Sequence, residues 1–270
     1  MLPSQAVRKE MRTTAGADLV WEAWTDPDRL SQWFCDQATG WPGVGGTLNM
    51  TWERFGFTVH YDVAEMEGRK RMVLKSWIPG VGTQSLELEI RRRAPYTILQ
   101  LVESSPPGKI PESESGVESG WEMALAILRH YLENYYGQDR SSFFAMLPAE
   151  FTYEGLMPFF TRPEKLELWL TRPGSVTEMG SAGEPFRCIL DSGETMSGTV
   201  LAVTRHEVLL GWDEIRGFLE LKSFPTGPGT RALCLRGSGY GLSADRAAQI
   251  EQSLKEALVR LFAALARSYR

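Results

Sequence analysis

The sequence predicts an α+β protein made of two tandem domains. Each domain is expected to be a curved antiparallel sheet wrapped around a long C-terminal helix, with two short helices after the first strand. Three observations predict this fold: a duplicated helix junction, runs of alternating apolar and polar residues, and an amphipathic helix closing each half. The 270 residues suit two domains of about 135 residues each, which we place at 1–138 and 139–270.

The duplicated junction is the clearest element of the pattern. Residues 20–34 read VWEAWTDPDRLSQWF, and residues 156–170 read LMPFFTRPEKLELWL, so that a Thr-x-Pro-acidic break recurs 136 positions later. We predict that Thr25 and Thr161 are N-caps, each followed by a proline in the first helical turn and an acidic residue at the third position. Each break then separates two short helices. The apolar residues after the breaks share one helical face, and they are Leu30, Trp33 and Phe34 in the first copy and Leu166, Trp169 and Leu170 in the second.

Strand character follows the junction in both halves. In FTVHYDVAEME, Val59, Tyr61 and Val63 fall on one face of a half-buried antiparallel strand, and glycine and proline turns separate the further strand-like runs. Each half then ends in an amphipathic helix. The predicted buried stripes are Trp121, Leu125, Leu128, Leu132 and Tyr135 in the first half, and Leu254, Leu258, Leu261 and Leu265 in the second.

Composition excludes several classes of function. A net charge of -5 and a pI near 5.4 give no reason to expect nucleic acid as a partner. No stretch has the uninterrupted apolar length needed for membrane insertion, and the N-terminus has no secretory pattern, so we expect a cytoplasmic protein. Three widely spaced cysteines, without a Cys-x-x-Cys pair, favour buried apolar positions over a disulfide framework or a metal site.

The sequence contains no recognisable catalytic, metal or cofactor motif. His60, His130 and His206 are expected to be solvated, and we predict neither catalytic residues nor a cofactor. The glycine-rich stretch at 41–47 precedes a strand, which does not fit a phosphate loop, and the one at 237–245 is interpreted as a turn in which Ser243 caps the last helix. The basic runs at 69–71 and 91–93 are interpreted as solvated strand edges, with an anionic partner as the alternative.

These residues carry a resemblance to a known family. VWEAWTDPDRLSQWF, the turn GVGG before a strand, Trp77 at the end of a strand and GWEMALAILRHYLE resemble the activator of Hsp90 ATPase homologue 1-like family, over residues 5–136. That family belongs to the START-like, or Bet v 1-like, helix-grip superfamily. The second half resembles a diverged copy that keeps the junction, Trp169, Trp212 and the final helix. The resemblance implies the helix-grip fold, with a cavity between the sheet and the C-terminal helix, in a superfamily of carriers, polyketide aromatases and cyclases, an antibiotic-sequestering protein and a co-chaperone domain.

The distribution of tryptophan favours a pocket in the first half. Seven of the nine tryptophans lie there, although two domains of similar size need similar cores. We therefore predict that a small hydrophobic molecule binds in the first domain. The predicted lining consists of Trp33, Phe34, Trp52, Phe57, Trp77, Trp121 and Leu125. The polar segment 103–119 leads to the last helix of this half and is a candidate gate.

The first strand of the second half is apolar on both faces. SFFAML therefore requires a second covering surface, and we predict that Phe143, Phe144, Met146 or Leu147 packs the halves together or forms a homodimer contact.

Three functional classes follow from the sequence. Binding or sequestration of a small hydrophobic ligand comes first. A cyclase or aromatase using the same cavity is the alternative, with Glu22, Asp36 or Glu53 as a candidate acid near the aromatic residues. A protein-interaction module of the Hsp90-ATPase-activator kind is the third.

Overall fold

The structure is a computed structural model, and it describes residues 5–79, 82–105, 116–149, 153–176, 178–179, 181–227 and 230–268. The chain divides into two compact units. One runs to Gln138 and the other begins at Asp139, with the segment Ser113–Met123 counted in the second.

The N-terminal unit is built on one seven-stranded antiparallel sheet, in the order β1-β7-β6-β5-β4-β3-β2. Its strands are β1 (Gln5–Thr13), β2 (Gln37–Gly40), β3 (Thr47–Trp52), β4 (Phe57–Glu67), β5 (Arg71–Ile78), β6 (Gly82–Arg93) and β7 (Tyr96–Ser105). Its helices are α1 (Ala17–Thr25), α2 (Pro27–Trp33) and α3 (Val117–Asn134). The predicted order of one strand, two short helices, six strands and a long helix is confirmed.

The sheet has one buried inner face because its strands alternate as the sequence predicts. Along β4, Tyr61 and Val63 are buried, whereas His60 and Asp62 are exposed. The same phase continues across the sheet, where β5 buries Leu74 and β6 buries Leu86 and Leu88. Because successive side chains of a strand point to opposite faces of the sheet, this phase fixes which of them face the long helix.

The helix junction has a different cap from the one predicted. Thr25 is the last residue of α1, and its hydroxyl donates to the Trp21 carbonyl at 2.9 Å. Asp26 is the N-cap of α2 instead, and its carboxylate accepts from the Asp28 amide at 2.9 Å. The threonine prediction was wrong because α1 includes Thr25, so that the Asp26 carboxylate is the one beside the first free amides of α2.

The long helix α3 is fixed at its C-terminal end by polar contacts. The Glu133 carboxylate accepts hydrogen bonds from the Thr13 hydroxyl at 2.9 Å and the Thr14 amide at 3.0 Å. The Tyr131 hydroxyl, on the buried stripe, donates to Gln32 at 2.6 Å. These bonds tie α3 to the end of β1 and to α2, while its apolar stripe stays buried.

The C-terminal unit repeats the architecture on its own seven-stranded sheet, ordered β8-β14-β13-β12-β11-β10-β9. Its strands are β8 (Arg140–Ala149), β9 (Glu178–Met179), β10 (Pro185–Ile189), β11 (Thr195–Val203), β12 (Glu207–Trp212), β13 (Gly217–Gly227) and β14 (Thr230–Tyr240). Its helices are α4 (Tyr153–Thr161), α5 (Pro163–Leu166) and α6 (Ala244–Ser268). As in the first copy, Thr161 ends a helix and donates to the carbonyl four residues earlier, at 3.0 Å, which corrects its predicted cap role.

An apolar cluster fills the inner side of this second sheet. Phe143, Trp212 and Leu221 from the strands and Leu258 and Leu261 from α6 are all buried in it. The predicted α6 stripe is therefore confirmed, and the Ser243 hydroxyl accepts from the Arg246 amide at 3.2 Å as the predicted cap. All three cysteines are buried and none of them forms a disulfide, and burial raises the pKa of Cys188 and Cys234 to about 12.

Strand β8 separates the four predicted interface residues onto its two faces. Phe143 is buried in the apolar cluster and Leu147 packs against it, which corrects the expectation for these two. They face inward because alternate residues of β8 are needed to complete the core of their own unit. Phe144 and Met146 lie on the opposite face, where Met146 is 42% exposed, and their interface role stays a prediction.

Candidate functional site

A continuous aromatic ladder runs through the N-terminal unit. It consists of Trp24, Trp33, Phe34, Trp52, Phe55 and Phe57. The ring centroids of Trp33 and Phe34 lie 4.8 Å apart, those of Phe34 and Trp52 5.2 Å, and those of Trp52 and Phe57 5.1 Å. The ladder begins in the core at Trp24 and reaches the surface at Phe57, which is 48% exposed. It therefore connects the interior to one end of the sheet.

Backbone hydrogen bonds hold the inner part of the ladder. The indole Nε1 of Trp33 donates to the Ala23 carbonyl at 2.8 Å, and that of Trp52 donates to the Phe34 carbonyl at 3.2 Å. The N–H groups of both indoles are thereby hydrogen-bonded inside a mostly apolar region. The stacked ring faces of Trp52 and Phe57, inclined by 24°, lie where β3 pairs with β4.

A row of buried polar residues crosses the inner face beside the ladder. Tyr61 on β4, Ser76 on β5 and Glu103 on β7 are 7%, 4% and 7% exposed. Gln84 on β6 completes the row, and its amide donates to the Glu103 carboxylate at 2.5 Å. Tyr61 and Trp52 are on neighbouring strands, with Tyr61 opposite Leu48 in the register. Hydroxyl, amide and carboxylate groups are thus brought onto a face that otherwise buries leucine, valine and methionine.

The electrostatics of this row favour a protonated tyrosine. Burial, assisted by the charge of Glu103, raises the pKa of Tyr61 well above its usual value. Its hydroxyl stays a hydrogen-bond donor at neutral pH and forms no hydrogen bond within the described part of the chain. The row can therefore supply a donor from Tyr61 beside the charged acceptor Glu103.

The structure brings together four of the seven predicted lining residues, namely Trp33, Phe34, Trp52 and Phe57. Leu125 is buried on the α3 stripe. Trp121 is buried too, but it falls in the segment counted with the other unit, so its part in the lining stays a prediction. Trp77 is 70% exposed on the outer face, and its prediction was wrong because Ser76 and Ile78 hold the inward positions at the end of β5.

Sequence reasoning missed Ser76, Gln84 and Glu103. The signal was present, because Gln84 shares the phase of Leu86 and Leu88, and Glu103 shares the phase of Leu99 and Leu101. A polar residue in the apolar phase of a strand is the pattern that marks a buried polar group.

The three carboxylates proposed as candidate acids lie outside the polar row. Glu22 accepts from the Tyr136 hydroxyl at 2.8 Å and pairs with Arg69 at 3.4 Å. Asp36 accepts from the Glu53 amide at 2.9 Å, and Glu53 itself is exposed. These bonds give Glu22 and Asp36 roles in holding the helices and the β3–β4 turn. The segment 103–119, the candidate gate, includes residues 106–115, which lie outside the described residues.

The C-terminal unit contains a buried ionic cluster that the sequence did not reveal. It consists of Glu207, Glu220, Lys222 and Arg236, on the face of β12–β14 opposite the apolar cluster. The Lys222 ammonium lies 3.1 Å from Glu207 and 3.4 Å from Glu220, and Arg236 donates to Glu220. His206, next to Glu207, is 4% exposed, so the expectation that it is solvated was wrong.

The two carboxyl groups of this cluster titrate in opposite directions. Burial raises the pKa of Glu207 to about 7, with Lys222 opposing the effect. Burial also opposes ionisation of Glu220, but the cations Arg236 and Lys222 outweigh it and lower its pKa to about 2. Within the described residues, Glu207 Oε2 accepts no hydrogen bond, which explains why its ionised form is the less favoured one.

Membrane-spanning helices and clustered metal-binding side chains are both absent from the described part of the chain. None of its helices is long and apolar enough to cross a membrane. Among the same residues, no group of three or more His, Cys, Asp or Glu side chains is arranged to hold a metal ion.

Comparisons with known proteins agree with the N-terminal architecture. Residues 14–133 match the family model described as activator of Hsp90 ATPase homolog 1-like protein. A search of curated protein sequences finds no match.

Some of the solved structures similar to the chain cover about half of it, and others cover nearly all of it. CalU16 from Micromonospora echinospora is 24% identical over 48% of this chain and 85% of its own, with a TM-score of 0.40. DynU16, described as a putative protein in the dynemicin biosynthetic locus, is 20% identical over 99% of this chain and 100% of its own, with a TM-score of 0.42. The di-domain ARO/CYC protein BexL is 12% identical over 97% of each chain, with a TM-score of 0.44.

The matched segment extends from the end of β1 to the end of α3, and so includes the helix junction, the aromatic ladder and the polar row. The second unit repeats the same order of elements on its own sheet. The N-terminal unit therefore matches the activator of Hsp90 ATPase homologue 1-like family model over residues 14–133, and the chain contains this order of elements twice.

Proposed function

We propose that the N-terminal unit binds or sequesters a small, largely apolar molecule between the inner face of its sheet and α3. The observation that carries the proposal is the buried polar row beside the aromatic ladder. Buried hydroxyl, amide and carboxylate groups are costly unless they are hydrogen-bonded. An apolar site with a few convergent polar groups is the usual composition of a ligand pocket.

The arrangement favours a ligand with an aromatic or otherwise flat body and a polar end. Trp52 and Phe57 offer stacked ring faces at the β3–β4 end of the sheet, and Phe57 is half-exposed. Tyr61, further along β4, offers a hydroxyl hydrogen to an acceptor on the ligand, and Glu103 can accept from a donor. The polar groups fix orientation, while the rings supply most of the buried area.

The C-terminal unit has a different inner face, which supports a structural role for it. Phe143, Trp212, Leu221 and the leucines of α6 are buried together in one apolar cluster. A ligand there would have to displace well-packed side chains, which costs several kcal/mol. The first half, which contains seven of the nine tryptophans, therefore differs from the second half in its core as well.

Native mass spectrometry of freshly purified protein tests the proposal. We expect a defined adduct, which denaturation releases for mass analysis. The released compound is then titrated against the wild type, Trp52→Ala and Trp77→Ala. Each variant loses one tryptophan, but Trp77 lies on the outer face and serves as the matched control. Loss of one stacking partner weakens binding by about two- to tenfold, so only Trp52→Ala should bind more weakly.

Other outcomes would overturn the proposal or redirect it. Equal loss of affinity in both tryptophan variants, or none in either, would show that the aromatic ladder does not contact the ligand. Chemical conversion of the released compound by the wild type, lost in Glu103→Gln, would favour the cyclase or aromatase alternative. A clean apo mass together with stoichiometric capture of an Hsp90 ATPase would favour the interaction module that the family name suggests.

A further inference from the structure

The two basic runs of the sequence lie close together at one end of the N-terminal sheet. The exposed end of the aromatic ladder, at Phe57, is at the other end of β4. The run Arg69–Arg71 leads from the β4–β5 turn into the first residue of β5, and the run Arg91–Arg93 ends β6. Arg71 is paired with Glu89 in the register, and the Ile90 amide donates to the Lys70 carbonyl at 2.7 Å. Because β5 and β6 are central strands, the expectation that these runs protect sheet edges was wrong.

A groove of about 560 Å³ separates these runs from the start of α1. Five cations line it, Arg69, Lys70, Arg71, Arg91 and Arg92, together with the acids Asp18, Glu67 and Glu89. The volume is within the range of small-molecule sites. Phe57 and Glu67 are at opposite ends of β4, about 30 Å apart by strand length, so this groove is distinct from the ladder.

The cations of the groove divide into two sets by their partners. Arg71 is held by Glu65 at 2.7 Å and Glu87 at 2.6 Å, and Arg91 is bidentate on Glu89. These pairs join neighbouring strand positions and belong to the sheet. The remaining cations, Arg69, Lys70 and Arg92, face the start of α1.

Asp18 occupies the centre of this second set. One of its oxygens lies 3.7 Å from Arg69, and the other accepts from Arg92 at 3.0 Å. The Lys70 ammonium forms no ion pair with any residue that the structure describes. Arg69 and Arg92 thus share the Asp18 carboxylate, Arg69 is also paired with Glu22 at 3.4 Å, and Lys70 adds a third positive charge to the lining of the groove.

We infer that this groove binds the phosphate group of a small phosphorylated molecule, with Asp18 occupying the anion position in its absence. Exposed ion pairs such as these contribute little to stability, so a ligand phosphate displaces the carboxylate easily. Phosphate carries more charge and more acceptor oxygens than a carboxylate, and arginine pairs with it in bidentate geometry. Arg69 and Arg92 are the bidentate partners, and Lys70 supplies the third cation.

Calorimetric titration with inorganic pyrophosphate tests this inference on the full chain. Asp18→Asn removes the competing carboxylate and keeps its size, so affinity should rise at least about fivefold. The double variant Lys70→Gln with Arg92→Gln should lose at least about tenfold. Arg12→Gln is the matched control, because Arg12 is equally exposed and ion-paired, with Glu10, but lies outside the groove.

Two results would overturn the inference. One is a wild type and an Asp18→Asn variant that both fail to bind pyrophosphate, or that bind it equally. The other is a loss in Arg12→Gln as large as that in the double variant, which would reveal attraction by overall charge. The Asp18→Asn arm predicts a gain of affinity, so a folding defect cannot imitate its expected result.

Discussion

Replacing Glu207 by glutamine should remove a pH-dependent loss of stability from the C-terminal unit. The carboxyl group is 3% exposed, lies 3.1 Å from the Lys222 ammonium, and has a pKa of about 7 in the folded protein. Its ordinary value is near 4.5. A group whose pKa is raised by folding binds protons more tightly in the folded state. Stability is therefore fully present below pH about 4.5 and falls as pH rises through about 7.

The magnitude follows from the size of the shift. A difference of about 2.5 pKa units corresponds to about 3 kcal/mol between the two protonation states. Glutamine imitates the protonated carboxyl and does not titrate. We therefore expect Glu207→Gln to match the wild type near pH 4.5 and to be more stable by up to about 3 kcal/mol at pH 8. Glu220 does not blur this window, because its pKa of about 2 confines its own titration to more acidic solution.

Hydrogen exchange of the β12 and β13 amides in the two proteins measures the difference directly. Opening free energies from these strands report the stability of the unit that contains the cluster. Glu256→Gln, on an exposed position of α6, is the matched control and should leave the pH profile unchanged. A wild type and Glu207→Gln with parallel profiles between pH 4.5 and 8 would refute the reasoning. So would a variant that is less stable at both ends.

Three further changes test the scaffold of the N-terminal unit, each by urea unfolding. Asp26→Ala should cost about 1 kcal/mol by removing the cap of α2, and an unchanged midpoint would place the cap elsewhere. Trp33→Phe should cost about 1–3 kcal/mol because the Ala23 carbonyl loses its buried donor; a smaller effect would mean that packing alone holds the ring. Glu133→Ala should cost about 2 kcal/mol and speed exchange at the end of α3, whereas a purely global change in exchange would argue against a local anchor.

The fold could be predicted from the sequence because its signals are local. The junction repeated at a fixed spacing, the alternation along β4 and the stripes on α3 and α6 each require only a few neighbouring residues. The ladder was partly predictable for the same reason, since Trp33 and Phe34 share a helical face. Its continuation through Trp52 to Phe57 depends on the pairing of β3 with β4.

The errors arise where a single residue changes the outcome. Trp77 lies one position out of phase with the inner face, so the same aromatic residue is exposed and not buried. Thr25 and Asp26 are both good N-caps, and the choice between them depends on where α1 ends. The Glu207–Lys222 pair was hidden for another reason: charged residues in a strand predict a solvated face, and only tertiary structure buries both faces of β12.

The two units share the hydrogen bond that fixes the helix junction, and they differ in the side chains on the inner face of the sheet. Trp33 and Trp169 each donate to the carbonyl ten residues earlier, at 2.8 and 2.9 Å, and thereby fix the helix junction in both units. Only the first unit combines that scaffold with the polar row at Tyr61 and Glu103, whereas the second packs apolar side chains such as Trp212 into its core. In the proposed function, a ligand hydrogen-bonds to the Tyr61 hydroxyl of the first unit, whereas it would have to displace side chains from the second. The proposed division between a ligand-binding copy and a structural copy thus rests on a few inward positions of a shared scaffold.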